Sequence, residues 1–443
     1  MSNSLPSAAE PEYAAFAAID WADQKHFWEV RPADSLRVEK GELQNTPEAV
    51  DVWATDLYER FQGRPIAVIL EQSRGALVYM LAKYSHLVLF PIHPKAAAQY
   101  REVFYPSGAK SDPVDTDLLL DFLLKHREHL RALKPDTKET RLLQLLTEHR
   151  RRMVNEKTRE KNRLTACLKM YFPQVPQWFD DVDTPLVGDL LERWPSLDQL
   201  QRAHPGTLRK FFHEHNCRSE ERIQERIQAI YQAMPATRDP VVVEGESLAA
   251  RGFLELLATL RGHIARLDKR IEEVVQTHPD FALFSSLPGA GPVLVPRLIA
   301  AFGTQRDRYQ TPEEMQRLSG IAPVTERSGK TKWVHMRRAC PKFLRQTFHE
   351  YAGHSLAKSE WAQAYYESQR ALKKSHHTAV RALGFKWQRV MFACWQAGTP
   401  YDEQIYLQSL NRRRSPLAAA FAHVTGIGWK LVSGFQKLSE NPS

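Results

Sequence analysis

Cysteine is scarce in this chain: Cys167, Cys217, Cys340 and Cys394 are the only four in 443 residues, and they lie far apart. That excludes a disulfide scaffold of the secreted kind and a Cys-based zinc site, and makes a reducing cytosol the expected compartment. Long apolar runs are also missing. No stretch approaches the roughly 18 consecutive apolar residues that a membrane span needs, and the opening Met-Ser-Asn-Ser-Leu-Pro has neither a basic n-region nor an apolar h-region. Neither a membrane partner nor export is expected. Charge of one sign does not dominate: 61 Lys+Arg against 52 Asp+Glu leaves a net charge of +9, modest for the length, so its location matters more than its sum. What is present is 43% hydrophobic residues, enough for real cores. A wholly disordered chain is thereby excluded, and the length suggests about two to four domains.

After a polar leader (1–12), residues 14–19 form a small apolar run ending in Asp20. Segments 26–30 and 36–43 follow with strand-like alternation. Thr46-Pro47-Glu48 has the form of an N-cap with Pro at the first helical position, and Val50, Trp53, Leu57 and Phe61 continue at helical spacing. Strands at 66–70 and 87–92 and helices at 75–84 and 94–103 complete a βββαβαβα order. Strands joined through helices are usually parallel, while the opening meander can be antiparallel, so the fold class expected is α/β with a mixed sheet. The order resembles the ribonuclease-H-like topology.

From Asp115 onward the composition turns to long helical stretches rich in Leu, Arg and Glu. Within 150–169, Arg150, Arg151, Arg152, Lys157, Arg159, Lys161, Arg163 and Lys169 face only Glu156 and Glu160. Such a run is either a solvated helix face or a nucleic-acid-facing arm. Residues 177–240 read as a small all-helical insert with caps at Trp194-Pro195-Ser196 and His204-Pro205-Gly206. Phe253, Leu257, Leu260, Ile264, Leu267, Ile271 and Val274 then form a heptad seam suited to a two-helix coiled coil or to packing back on the first long helix. The expected division is an α/β domain over 13–128, a coiled-coil arm with its insert over 129–280, a mostly helical domain over 281–410 and a basic tail over 411–443.

Four carboxylates fall where the expected sheet would gather them. Asp20 ends the first strand, Glu71 ends the strand at 66–70, and Asp112 and Asp115 open a helix at i,i+3 spacing on one face. Acids at adjoining strand ends repel unless cations neutralise them, and hard oxygen ligands suit Mg²⁺, often as a pair around a phosphate, with Mn²⁺ as the alternative. The implied chemistry is phosphoryl transfer on nucleic acid. Taken singly, each acid could simply end a strand or cap a helix.

The runs Ala18-Ile19-Asp20-Trp21-Ala22, Leu70-Glu71-Gln72-Ser73-Arg74-Gly75 and Lys110-Ser111-Asp112-Pro113-Val114-Asp115 resemble the DEDD signature of a family of bacterial insertion-sequence transposases with a RuvC-like N-terminal domain. The later landmarks of that family also have counterparts in Leu287-Pro288-Gly289-Ala290-Gly291, Leu318-Ser319-Gly320-Ile321-Ala322-Pro323 and Glu326-Arg327-Ser328-Gly329-Lys330. The resemblance covers most of the chain in order; the insert at 177–240 is the part that shorter members lack. It implies a recombinase guided by a structured noncoding bridge RNA that pairs with target and donor DNA. It also implies a serine that attacks the DNA backbone, assisted by the DEDD carboxylates and Mg²⁺, and by motif position that serine is Ser328. The resemblance further implies a homo-oligomer, a tetramer on DNA. Without the family, Ser328-Gly329 reads as a turn.

The surroundings of Ser328 favour a polyanion. Arg327, Lys330, Lys332, Arg337, Arg338, Lys342 and Arg345 cluster with Trp333 and His335 interleaved and Glu326 the only acid. The turn holding Gly289 and Gly291 resembles a helix-hairpin-helix element that can hold a phosphate on backbone N–H groups, although Gly-x-Gly turns also serve tight helix packing. Two rival functions remain: a RuvC-like endonuclease using metal-activated water, and a non-catalytic nucleic-acid-binding scaffold.

Overall fold

The computed structural model describes residues 12–105 and 112–415, the side chains of Asp112 and Pro113 excepted. Most of the leader (1–12), the segment around Lys110-Ser111 and most of the tail (411–443) lie outside the described residues. The chain divides into two compact units, the first ending at Pro135 and the second beginning at Asp136.

The first unit is a mixed five-stranded sheet between helices. Strands β1 (Ala15–Asp20), β2 (Lys25–Pro32) and β3 (Glu39–Gln44) form an antiparallel meander. Helix α1 (Pro47–Arg60) leads to β4 (Ile66–Leu70), and α2 (Ala76–Leu81) leads to β5 (Leu87–Pro91); both strands run parallel to β1, giving the order β3-β2-β1-β4-β5. Thr46 caps α1 by accepting the Ala49 N–H at 3.3 Å, and Pro47 sits where no N–H is needed, which turns Val50, Trp53, Ala54 and Leu57 inward. Strand β4 is buried on both faces, which is why it reads as an unbroken apolar run. Helices α3 (Pro94–Phe104) and α4 (Asp112–His126) cover the other face, where Ala18, Ala67, Ile69 and Phe90 meet Leu119, Leu120 and Leu123. A mixed sheet followed by a mostly helical remainder is therefore the architecture, and the strand order is consistent with a ribonuclease-H-like domain.

The second unit opens with α5 (Lys138–Tyr171), which runs antiparallel to α11 (Pro240–Gln276). Three contacts track the pairing from base to far end: Thr140 Oγ1 to His278 Nε2 at 2.8 Å, Arg150 to Asp268, and Cys167 Sγ to the Glu246 carbonyl at 3.0 Å. On α11, Leu257, Ile271 and Val274 of the heptad series are buried, while Leu256, which flanks the seam, is exposed. Between the two long helices lie α6 (Val175–Trp178), α7 (Pro185–Arg193), α8 (Leu197–Gln201), α9 (Pro205–Glu214) and α10 (Glu220–Gln232). Their Leu190, Leu200, Phe212 and Ile230 form a core with Leu164 and Leu168 of α5 and Leu257 of α11, so the helix pair is closed at its far end by a hydrophobic core of its own.

The base of the pair joins a second core. Helices α12 (Phe281–Ser285), α13 (Leu294–Phe302) and α14 (Pro312–Leu318) precede a hairpin of β6 (Val324–Ser328) and β7 (Thr331–His335). Helices α15 (Lys342–Ser355), α16 (Glu360–Ala371), α17 (His376–Ala397) and α18 (Glu403–Arg412) follow. Phe302, Phe348, Trp361, Trp387 and Trp395 fill this core, together with Leu143 and Ile271 from the helix pair. Sequence patterning expects this region to be mostly helical; the hairpin is the element it misses. No described helix is long and apolar enough to cross a membrane.

Candidate active site and nucleic-acid interface

Strands β1 and β4 are parallel with Ile19 opposite Leu70, so Asp20 and Glu71 stand at the same level on adjacent strand ends. Ala18 and Ile69, two residues earlier on each strand, pack beneath α4, and strand alternation therefore puts both acids on the α4 side. From the first turn of α4 comes Asp115, only 4% exposed, with its Oδ1 2.7 Å from Nη2 of Arg101 on α3. Glu71, Arg101, Tyr100 and Asp115 line one small cleft. Asp112 begins α4 three residues earlier, and its side chain is outside the described set.

These residues suit a hard cation. Asp115 Oδ1 is buried and makes no hydrogen bond, its ion pair with Arg101 being its resident countercharge. A buried carboxylate beside a second acid at the same sheet end is donor chemistry that hard divalent cations use.

Sequence reasoning passed over two neighbours of this cluster. Glu29 on β2 pairs with Ala18 across the sheet and is 2% exposed. Lys40 Nζ lies 2.9 Å from Glu29 Oε1 and also contacts Asp117, two residues beyond Asp115 on α4. Burial pushes the Glu29 carboxyl up to about 7, with Lys40 pulling it back and Asp117 adding to the rise. His26, fully buried, accepts the Ala22 N–H on Nδ1 at 3.2 Å and so fixes the turn that follows Asp20. Burial lowers the His26 pKa, which keeps the ring neutral and able to accept. The only signal for Glu29 is a carboxylate at an inward strand position, visible once the register is known. At the other end of α4, His126, Glu128 and His129 place ligand atoms within 4.8 Å of one another on the surface, a grouping also missed.

Ser328 ends β6 and pairs with Thr331 across a two-residue Gly329-Lys330 turn. Such a turn needs a left-handed backbone at its first position, and Gly329 supplies it with φ +55°. Residues 325–334 are all exposed, Trp333 at 60%. Arg327, Lys330, Lys332 and Arg338 are open to solvent, and Arg337 is half-buried. The signals for this hairpin are the Gly-first turn and the β-branched Val324, Thr325, Thr331 and Val334 around it.

Six of the seven Arg and Lys residues between 150 and 163 are engaged within their own unit. Arg150 pairs with Asp268, with Nη2 to Oδ2 at 3.2 Å, and Arg151 pairs with Glu350 at 3.1 Å. Lys157 holds buried Asp183 at 2.8 Å, and Arg163 holds Glu160 at 2.6 Å. Arg152 is exposed on the same helix. Gly289, at φ +81°, lies against the backbone of His354, where an added Cβ would meet the carbonyl oxygen at 2.8 Å; tight packing explains this glycine. Gly291 has open space where a Cβ would stand.

An acidic cluster at the end of a mixed sheet in one unit, and a basic hairpin bearing a serine in the other, are residue sets of the kind suited to nucleic-acid phosphates. Residues 17–173 match a family profile described as a transposase of the DEDD type of IS110, and residues 282–367 match that of the transposase IS116/IS110/IS902 family. Among curated relatives, the "Mini-circle putative transposase for IS117" of Streptomyces coelicolor is 26% identical over 89% of this chain and 97% of its own length. The insertion element IS110 43.6 kDa protein of the same organism is 25% identical over 77% of this chain and 84% of its own. The IS900 42 kDa protein of Mycobacterium paratuberculosis is 24% identical over 85% and 94%. The chain belongs to the IS116/IS110/IS902 family of transposases.

Proposed function

We propose that this transposase cleaves and exchanges DNA strands through a covalent serine–DNA intermediate. In this reading Ser328 Oγ attacks a backbone phosphorus, an Oγ–P bond forms, and a bridging P–O bond breaks to release a DNA hydroxyl. Attack by the hydroxyl of another strand completes the exchange and frees the serine. The observation that carries it is the position of Ser328, at the exposed tip of a hairpin whose flanking side chains are cationic. A serine hydroxyl is a weak nucleophile until activated. Asp20, Glu71, Asp112 and Asp115 would hold Mg²⁺, or Mn²⁺ in its place, as a two-metal-like site. Bound there, the ions would neutralise charge developing on the phosphate oxygens.

The family resemblance adds guidance by a bridge RNA, donor and target DNA as partners, and a tetramer, since recombination must hold two duplexes together. The helix pair α5–α11 is proposed as a coiled-coil arm within that assembly. Its Arg152, and Arg150, Arg151, Lys157 and Arg163 where a phosphate replaces their present carboxylates, are proposed nucleic-acid contacts, as is the Gly289–Gly291 turn.

The test is a covalent protein–DNA adduct trapped on a cleavable substrate. Adduct formation by the wild type and its loss in Ser328→Ala supports the reading. Full strand cleavage by Ser328→Ala overturns it in favour of hydrolysis by metal-activated water. Sequencing the RNA that co-purifies tests guidance: one abundant structured species supports it, and heterogeneous background counts against it.

A further inference from the structure

The β6–β7 register sorts the hairpin's side chains onto two faces. Cross-strand partners share a face, so Ser328 and Thr331 lie together with Glu326 and Trp333 and with Val324 and His335. Arg327 pairs with Lys332 and Thr325 with Val334 on the opposite face. The contacts agree: Trp333 and His335 have ring centroids 4.4 Å apart, and His335 Nε2 is 3.5 Å from Glu326 Oε1. Trp333 is thus one cross-strand row from Ser328 on the same face, and the Arg327–Lys332 pair is on the other.

A two-stranded hairpin is marginally stable alone in water, and an indole left 60% exposed gains little from burial. Neither face of this one is covered by its own unit, since Trp333 and Val334, on opposite faces, are both more than half exposed. Glu326, across the strand from Trp333, is also exposed and gives the ring no apolar cover. The surrounding charge selects the occupant: Arg327, Lys330, Lys332 and Arg338 are exposed against the single acid Glu326, which favours a polyanion over a protein surface. Every nucleobase offers a π-face to an aromatic ring, so an exposed indole beside a cationic strand is the stacking arrangement used on unpaired DNA.

We propose that Trp333 stacks on an unpaired base of the DNA strand that Ser328 attacks, and so sets the scissile phosphate against the serine hydroxyl, while Arg327 and Lys332 on the other face hold backbone phosphates. Trp333 is a positioning residue in this scheme. The proposal rests on Ser328 as nucleophile, and the experiment separates the two. Covalent adduct formation is measured with the full chain, its co-purified RNA and a cleavable substrate, over a salt series, for wild type, Ser328→Ala, Trp333→Ala, Trp333→Phe and Lys332→Gln. Trp333→Ala is expected to slow adduct formation by about tenfold to a hundredfold, the loss expected of one base stack, without changing the salt dependence of binding. Trp333→Phe should restore most of the rate. Lys332→Gln should lower the salt slope by about one ion instead. An abasic nucleotide beside the scissile phosphate should make wild type and Trp333→Ala equal.

Wild-type adduct formation by Trp333→Ala, with Ser328→Ala inactive, overturns the stacking role and leaves the serine reading intact. Adduct formation by Ser328→Ala overturns both. A Trp333→Ala defect that changes the oligomeric state and persists on the abasic substrate assigns this face to a second copy of the chain and overturns the proposal.

Discussion

Replacing Arg101 with Met should make the fold of the first unit depend on a divalent cation. The wild-type guanidinium lies 2.7 Å from Asp115, whose side chain is 3% exposed, while the arginine is 21% exposed. Removing one partner of such a pair strands a buried carboxylate and costs about 3–5 kcal/mol. Methionine keeps much of the apolar volume, so the loss is chiefly electrostatic. A cation bound by Asp115 and its acidic neighbours at about 100 times its Kd would return about 2.7 kcal/mol by linkage. The wild type should gain less, because part of the binding free energy goes into displacing the guanidinium. Asp115→Asn, with no buried charge and one ligand fewer, should respond least. Amide exchange in α4 and β1 of the full chain, with EDTA or with Mg²⁺ or Mn²⁺, reads the difference locally. Equal cation-dependent protection in wild type, Arg101→Met and Asp115→Asn would refute the reasoning.

Glu29 and Gly289 give two further outcomes. Because the folded-state pKa of Glu29 is raised to about 7, its contribution to stability is fully present below its ordinary pKa and is lost as pH rises through about 7. Each pH unit between the ordinary and folded-state values is worth about 1.4 kcal/mol, so Glu29→Gln should gain on the order of 3 kcal/mol relative to wild type between about pH 5 and pH 8. A difference that stays flat across that window in local amide exchange of β2 would contradict it. Gly289→Ala puts a side chain at φ +81° and 2.8 Å from the His354 carbonyl oxygen, and should destabilise the second unit by about 2 kcal/mol or more in urea unfolding. A wild-type midpoint would show that the turn and α15 separate freely.

Periodicity carried most of the first unit because its strands are sided. The run at 66–70 is read at its observed bounds, and Asp20 and Glu71 were legible as strand-end acids because apolar residues lead up to each. Arg101 was not legible as the countercharge of Asp115, since it comes from another helix and nothing local marks it. The same holds for the long helix. Its run of cations was plain, but Asp268, Asp183 and Glu350, which engage Arg150, Lys157 and Arg151, come from remote positions. The hairpin at 324–335 was lost for the opposite reason: with both faces open, it has no apolar alternation to detect.

The long helices also fix a distance. At about 1.5 Å per residue, the 34 residues of α5 extend about 50 Å, close to the length of about fifteen base pairs of duplex. One hydrophobic core closes the far end of the pair and another anchors its base, so each end of the pair is held by packing of its own. The separation of the two cores is set by the length of the helices that join them.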